Sequence, residues 1–185
     1  MSDFPTLESP RLYLREIVSS DAPALFRIYS DAQVMRWFGS DPMTAPTDAQ
    51  YLVNLYAGWR RMANPGTRWG LQLKGRDELI GTCGLFKWNR GWKNCTVGFE
   101  LDRSGWGRGL MKEALATILP WGFEVLQVHR VEAQVHPHNA ASLGLLSSLG
   151  FVREGLARQA GFWAGEHHDL VQMGLLENEY LMPFG

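Results

Sequence analysis

Apolar and polar positions along the chain follow two different periods, and the changes of period set out the elements. Arg11-Leu12-Tyr13-Leu14-Arg15 alternates, as a strand with one buried face does. Ser20 or Asp21 can then cap a helix running to about Tyr29. A second helix follows Thr47, where Tyr51, Leu52, Leu55, Tyr56 and Trp59 recur at helical spacing until Asn64-Pro65-Gly66 stops it. Between the two helices lies an aromatic loop, Trp37-Phe38-Gly39-Ser40-Asp41-Pro42.

From Arg68 the alternation returns. Strands are predicted over Arg68 to Lys74, Leu79 to Trp88 and Asn94 to Leu101, separated by turns near Gly75-Arg76-Asp77 and Asn89-Arg90-Gly91, which makes an antiparallel meander. A helix from about Gly109 to Val125 carries Leu110, Ala114, Leu115, Ile118 and Leu119 as its apolar stripe. Pro120 has no N–H for the Ala116 carbonyl and predicts a kink there. His129 to Val135 alternates as a further strand, and Asn139 starts a short helix that Gly150 ends. Phe151 to Arg153 and Leu170 to Leu175 read as two last strands.

At 185 residues the chain is expected to form one domain, 1–185, with enough length for a single core. Lys+Arg 18 against Asp+Glu 19 gives a net charge of −1, which offers no electrostatic bias towards polyanions, so nucleic acid is not an expected partner. The opening residues lack a basic region followed by an apolar one, and no stretch approaches the roughly 20 apolar residues of a membrane span. A soluble cytoplasmic protein with no membrane partner is therefore expected. Cys83 and Cys95 form no CxxC pair and read as core residues.

The candidate chemistry begins at Ser104-Gly105-Trp106-Gly107-Arg108-Gly109, between the strand ending at Leu101 and the helix beginning at Leu110. Glycines at such a junction let backbone N–H groups point at one place, and the helix start behind them adds partial positive charge, which suits a phosphorylated cofactor. The same glycines also suit a tight turn that needs positive φ and nothing more. A dinucleotide fingerprint would need its third glycine at Leu110 or Lys112, and a P-loop would need Gly-Lys at Leu110-Met111. Both are excluded. His136-Pro137-His138 and His167-His168-Asp169 lack the spacing of a zinc motif, so no metal is expected.

Three features together resemble a known family: the glycine turn after Gly98-Phe99-Glu100-Leu101, Val135-His136-Pro137-His138-Asn139-Ala140-Ala141-Ser142 at a strand-to-helix junction, and Leu149-Gly150-Phe151-Val152-Arg153-Glu154-Gly155 after that helix. Their order is similar to that of the GNAT superfamily of acetyl-CoA-dependent N-acetyltransferases, most closely its branch acetylating ribosomal-protein N-termini. The resemblance implies an α/β fold with a mixed, mostly antiparallel sheet, flanked by helices and splayed between its fourth and fifth strands to admit acetyl-CoA. It places the backbone of Leu101 against the pantetheine arm, surrounds the pyrophosphate with Ser104, Gly105, Trp106, Gly107, Arg108, Gly109 and Leu110, and brings Asn139 to the cofactor. The family usually has Gln or Arg where this chain has Ser104. Asn139 equally serves as a plain helix N-cap.

Acyl transfer to an amine needs a base for the amine proton, a donor for the oxyanion and a proton for the departing sulfur, but no enzyme nucleophile. The tyrosine that many family members use as acid is here Leu146, which leaves Ser142 as the expected acid. The branch's glutamate base is here Gly161, and Glu100, beside the cofactor gap, is the expected replacement, acting directly or through a water. Trp37, Phe38 and Trp88 are expected against the acceptor amine, which is a protein N-terminus or a small molecule such as a polyamine, amino acid or antibiotic. Lys87, Arg90 and Lys93 offer charge to an acidic acceptor, and equally the solubilising charge an exposed hairpin carries. A non-catalytic acyl-CoA-binding module is the alternative from another class. The aromatic content feeds a homodimer interface as readily as a core, so oligomeric state stays open.

Overall fold

In the computed structural model, which describes residues 4–180, the alternating stretches pair into one eight-stranded sheet. Its strands are β1 (Leu7–Glu8), β2 (Leu12–Arg15), β3 (Thr67–Leu73), β4 (Leu79–Asn89), β5 (Asn94–Leu101), β6 (Arg130–Val135), β7 (Val152–Trp163) and β8 (Glu166–Leu176). The helices are α1 (Ala22–Tyr29), α2 (Ala32–Met35), α3 (Pro46–Trp59), α4 (Leu110–Glu124), α5 (Ala140–Ser147) and α6 (Glu177–Tyr180). Strand order is β1-β2-β3-β4-β5-β6-β8-β7. Every neighbouring pair is antiparallel except β5 with β6, which is parallel and joined by the crossover through α4.

The period of two gives the sheet an apolar side chain on each face, and helices cover both. On one face Leu14, Trp69, Leu71, Leu85, Cys95 and Val97 share a buried core with Leu110, Ala114, Leu115, Ile118, Leu119 and Phe123, the apolar stripe of α4. Each such leucine contributes roughly 1.5–3 kcal/mol by leaving water. A Cβ on Gly122 would lie 2.6 Å from Leu85 Cδ1, so the glycine is what lets α4 come down onto β4. Pro120 sits inside α4, and the helix continues past it to Glu124. On the other face α1 and α3 bring Leu25, Ile28, Tyr29, Val53 and Tyr56 over Ile17 and Leu79.

The meander and both long helices fall close to where periodicity puts them, with β5 spanning the expected Asn94–Leu101. Three short elements, β1, α2 and α6, are too short to show a period. The larger difference is at the end of the chain, where two brief strands were expected and two long ones of 12 and 11 residues stand. β7 is the edge strand and is exposed on both faces, so no apolar alternation marks it, and its register shifts at Arg153/Gly155 and Ala157/Gly161 break what pattern remains. Because β1 adds one strand before the meander, the splay falls between the fifth and sixth strands of the whole sheet.

Candidate active site

β5 and β6 pair only at Asn94/Arg130, Cys95/Val131 and Thr96/Glu132, then separate. On the other side β5 stays paired to β4, and the Asp102 N–H donates to the Ile80 carbonyl at 2.7 Å. The alternation of an antiparallel ladder then commits the Gly98 and Glu100 backbone to β4 and turns that of Phe99 and Leu101 towards the gap. The gap opens into a cleft of about 640 Å³, walled by Phe99 and Leu101 on one side, Ala133 and Val135 on the other, and the starts of α4 and α5.

The glycine turn forms one end of this cleft, but its amides are divided. Asp102 Oδ1 accepts from both the N–H (2.9 Å) and the hydroxyl (2.6 Å) of Ser104. The Gly105 and Trp106 amides donate to the Asp102 and Arg103 carbonyls. Within α4 the ladder starts when the Glu113 N–H reaches Gly109 O at 3.1 Å. From Gly107 to Lys112 the amides meet no protein acceptor among the described residues. The stretch of uncommitted amides is therefore 107–112, where 104–110 was expected to surround a pyrophosphate, because the turn closed by Asp102 takes up the first amides. Gly107 (φ +68°) and Gly109 (φ +71°) hold left-handed conformations that only glycine adopts without strain. The fifteen-residue helix behind them adds its dipole.

Gly105, Trp106, Gly107, Gly109, Leu110 and Lys112 line the cleft. Ser104 and Arg108 do not. The Arg108 carbonyl is instead held by Arg11 Nη1 at 2.9 Å. Arg11 is fixed by Glu113, which also accepts from Ser9 Oγ at 2.7 Å, so the first turn of α4 is tied to the chain before β2. The Leu101 carbonyl accepts from the Trp106 indole at 2.8 Å, leaving the Leu101 amide facing the gap.

Asn139 and Ser142 sit at the opposite wall. Asn139 Oδ1 accepts from the Ser142 N–H at 3.1 Å, so the asparagine does cap α5, and its amide nitrogen is left to the cleft. The Ser142 hydroxyl has no protein partner among the described residues.

Glu100, expected as the base beside the gap, acting directly or through a water, borders the cleft but is enclosed. Its side chain is 2% exposed and paired with Arg68 Nη2, while Thr82 and Tyr29 (2.6 Å) donate hydroxyls to it. Arg68 Nε also reaches Thr82 at 2.6 Å, and Tyr29 meets the Tyr56 hydroxyl at 2.9 Å. Burial pushes the Glu100 carboxyl up, against the pull of Arg68 and the hydroxyl donors. Burial opposes the Arg68 charge as well, and Glu100, Tyr56, Tyr29 and Cys83 together outweigh it, so the guanidinium is held above its ordinary value. Burial raises both tyrosines, so they remain neutral donors.

Trp37 and Phe38, expected against the acceptor, line the cleft, Phe38 meeting Tyr29 edge-on at 5.4 Å. Trp37 stacks on His136 at 4.1 Å. His138 lines the cleft beside them, a position that sequence reasoning considered only for metal. Trp88 lies outside the cleft, packed on the α4-side core beneath the Arg90 guanidinium at 4.5 Å, and the charged hairpin 87–93 likewise forms no part of the lining. Among the described residues, no helix is long and apolar enough to cross a membrane, and no group of His, Cys, Asp and Glu could hold a metal.

A sheet splayed beside a parallel strand pair, with free amides at the mouth of the splay, defines an acyl-CoA transferase cleft, and the sequence agrees: residues 11–152 match the acetyltransferase (GNAT) domain. The chain belongs to the GNAT acetyltransferases. It is 33% identical over 175 residues to the uncharacterized N-acetyltransferase p20 of Bacillus licheniformis, covering 95% of this chain and 98% of that one. It is 33% identical over 99 residues to the ribosomal protein uS5-alanine N-acetyltransferase of Escherichia coli, covering 53% and 51% respectively. Mycobacterium smegmatis RimJ in complex with CoA-disulfide superposes with a TM-score of 0.84 at 25% identity, over 97% of this chain and 88% of that one.

Proposed function

We propose that this acetyltransferase transfers the acetyl group of acetyl-CoA to the N-terminal α-amino group of a protein, such as a ribosomal protein, by direct attack in a ternary complex. The observation that carries the reading is the run of uncommitted amides 107–112 at the mouth of the splay, opposite a wall built from Trp37 and Phe38. The activity for which the uS5 relative is named supports the acceptor class.

In this reading the free amides and the α4 dipole hold the diphosphate, and the open backbone of Phe99 and Leu101 takes the pantetheine arm as an added strand. Acetyl-CoA supplies the activated acyl group. Ser142 offers its hydroxyl proton to the departing sulfur. Glu100 acts as a positioning residue, fixing Tyr29, and Phe38 against it, below the acceptor.

One observation favours a small amine as the second reading. Asp41 Oδ1 accepts from the Ala164 N–H at 2.7 Å, bridging the aromatic loop to the tip of the β7–β8 hairpin and narrowing the acceptor side. The test is release of free CoA thiol with peptides bearing alanine or serine N-termini, alongside a panel of polyamines, amino acids and aminoglycosides. Acetylated peptide with higher kcat/KM than any small amine supports the proposal. Turnover confined to small amines would replace it with the second reading.

A further inference from the structure

Three imidazoles converge beside the acceptor side of the cleft, and the reaction as described gives them no part. The His136 ring lies 5.2 Å from that of His138 and 5.3 Å from that of His168. Trp37 stacks on His136, and Trp163 stacks on His168 at 3.8 Å, so the cluster is clamped between two indoles. These rings do not converge on a metal position. His136 Nδ1 accepts from the His138 backbone N–H at 3.1 Å, which puts the proton of the neutral ring on Nε2.

The charged and titratable groups around this cluster are Arg36 after α2, His138 on the loop from β6, and His168 and Asp169 on β8. Burial, then His168, His138 and Arg36, lower the His136 pKa, and Asp169 opposes them. His136 is thereby kept neutral near pH 7 and serves as a fixed support for the segment carrying His138.

An amine attacking a thioester must give its proton to a lone pair that opens on the cleft. The titratable side chains in the lining are Arg36, Glu100, Lys112 and His138. Arg36 and Lys112 bring positive charge. Glu100 is 2% exposed and already takes three donors, from Arg68, Thr82 and Tyr29. His138 is exposed, and it stands next to Asn139 and four positions before Ser142 on the same wall.

We propose that His138 is the catalytic base, with His136 as its positioning residue. This assignment rests on the acetyltransfer reading above. The amine nitrogen bonds to the thioester carbonyl carbon, and its proton passes to a ring nitrogen of His138. The carbon–sulfur bond breaks, and the sulfur takes the Ser142 hydroxyl proton, which solvent replaces. The imidazolium of His138 returns its proton to solvent from its exposed edge. Amine and thioester thus become amide and thiol, with every proton accounted for.

The experiment is the pH profile of kcat for the parent, His138→Ala, His136→Ala and Glu100→Gln, with acetyl-CoA and an α-amino peptide. CoA affinity is measured in parallel to show that each cleft is intact. His138→Ala should lose at least about 10²-fold in kcat, lose the parent's acidic limb, keep its affinity for CoA and recover part of its rate with added imidazole. His136→Ala should lower kcat and keep the acidic limb, and Glu100→Gln should also keep it. Parental kcat and pH profile in His138→Ala, or an acidic limb that disappears with Glu100→Gln, would overturn the assignment and leave the acetyltransfer reading standing. A parent that turns over no amine would overturn both.

Discussion

Arg68 on β3 and Glu100 on β5 pair directly across the intervening strand β4, with side chains 3% and 2% exposed. Thr82 of β4 lies between them, and Tyr29 of α1 and Tyr56 of α3 close over the pair, so one polar network joins three strands to two helices beneath Phe38. Removing one partner strands the other charge in the interior. Arg68→Ala should therefore cost about 3–5 kcal/mol in urea denaturation. The double variant Arg68→Met/Glu100→Leu removes both charges together and should recover most of that loss. A single variant as stable as the parent would show that the pair does not hold the helices to the sheet.

Glu113 anchors the turn from its other side. Burial would raise its carboxyl, but Ser9, the Arg11 N–H and the Arg11 guanidinium outweigh it and hold the group below the usual glutamate range. Its folded value lies under its unfolded one, so the stability it contributes is present above about pH 4.3 and is lost as pH falls through the depressed value. Glu113→Gln should flatten the acid side of a stability–pH curve in that window. It should also weaken CoA, because Arg11 then no longer holds the Arg108 carbonyl in place.

Asn139 serves two purposes that two substitutions separate. Asn139→Ala removes the cap from the Ser142 amide and should cost about 1 kcal/mol of stability. Asn139→Asp keeps an accepting oxygen for that amide and loses the donor facing the cleft, so it should keep stability and lower acetyl-CoA affinity. Thermal melts and calorimetry on the two variants check this. Equal affinity in Asn139→Asp would leave the residue with capping alone.

Ser142→Ala should lower kcat by about 10²-fold or more while leaving the KM for acetyl-CoA near the parental value. The helix start is preserved, since the bond to Asn139 uses the backbone of residue 142 and not its hydroxyl. Steady-state kinetics with a fixed peptide acceptor read the difference, and an unchanged kcat would return the leaving-group proton to solvent.

What the sequence disclosed follows from the range of each interaction. β5 and the cap at Asn139 are local, so alternation and residue type were enough to place them. The glycine turn was legible as a source of free amides, but which amides stay free depends on where the Asp102 side chain folds back, and that shifted the stretch by several residues. The enclosure of Glu100 left no trace in the sequence because its partner Arg68 lies 32 residues away and meets it only through the register of β3, β4 and β5. Trp88 was misplaced for a related reason: alternation from Leu85, which faces α4, would send it to the opposite face with Phe86, and the register shift after Phe86, with Lys87 at φ +54°, turns its side chain to the α4-side core, away from the cleft. The stacking of Trp37, His136, Trp163 and His168 joins four segments and leaves no periodic trace.

The central claim is that the amides after Trp106 grip the diphosphate of the coenzyme. Amide chemical shifts followed through a CoA titration test it residue by residue. The account predicts the largest saturable changes at Gly107 to Lys112, with Ser104 and Gly105 nearly still because Asp102 already holds them. Saturable binding that leaves 107–112 unmoved, with the changes clustered elsewhere, would contradict it.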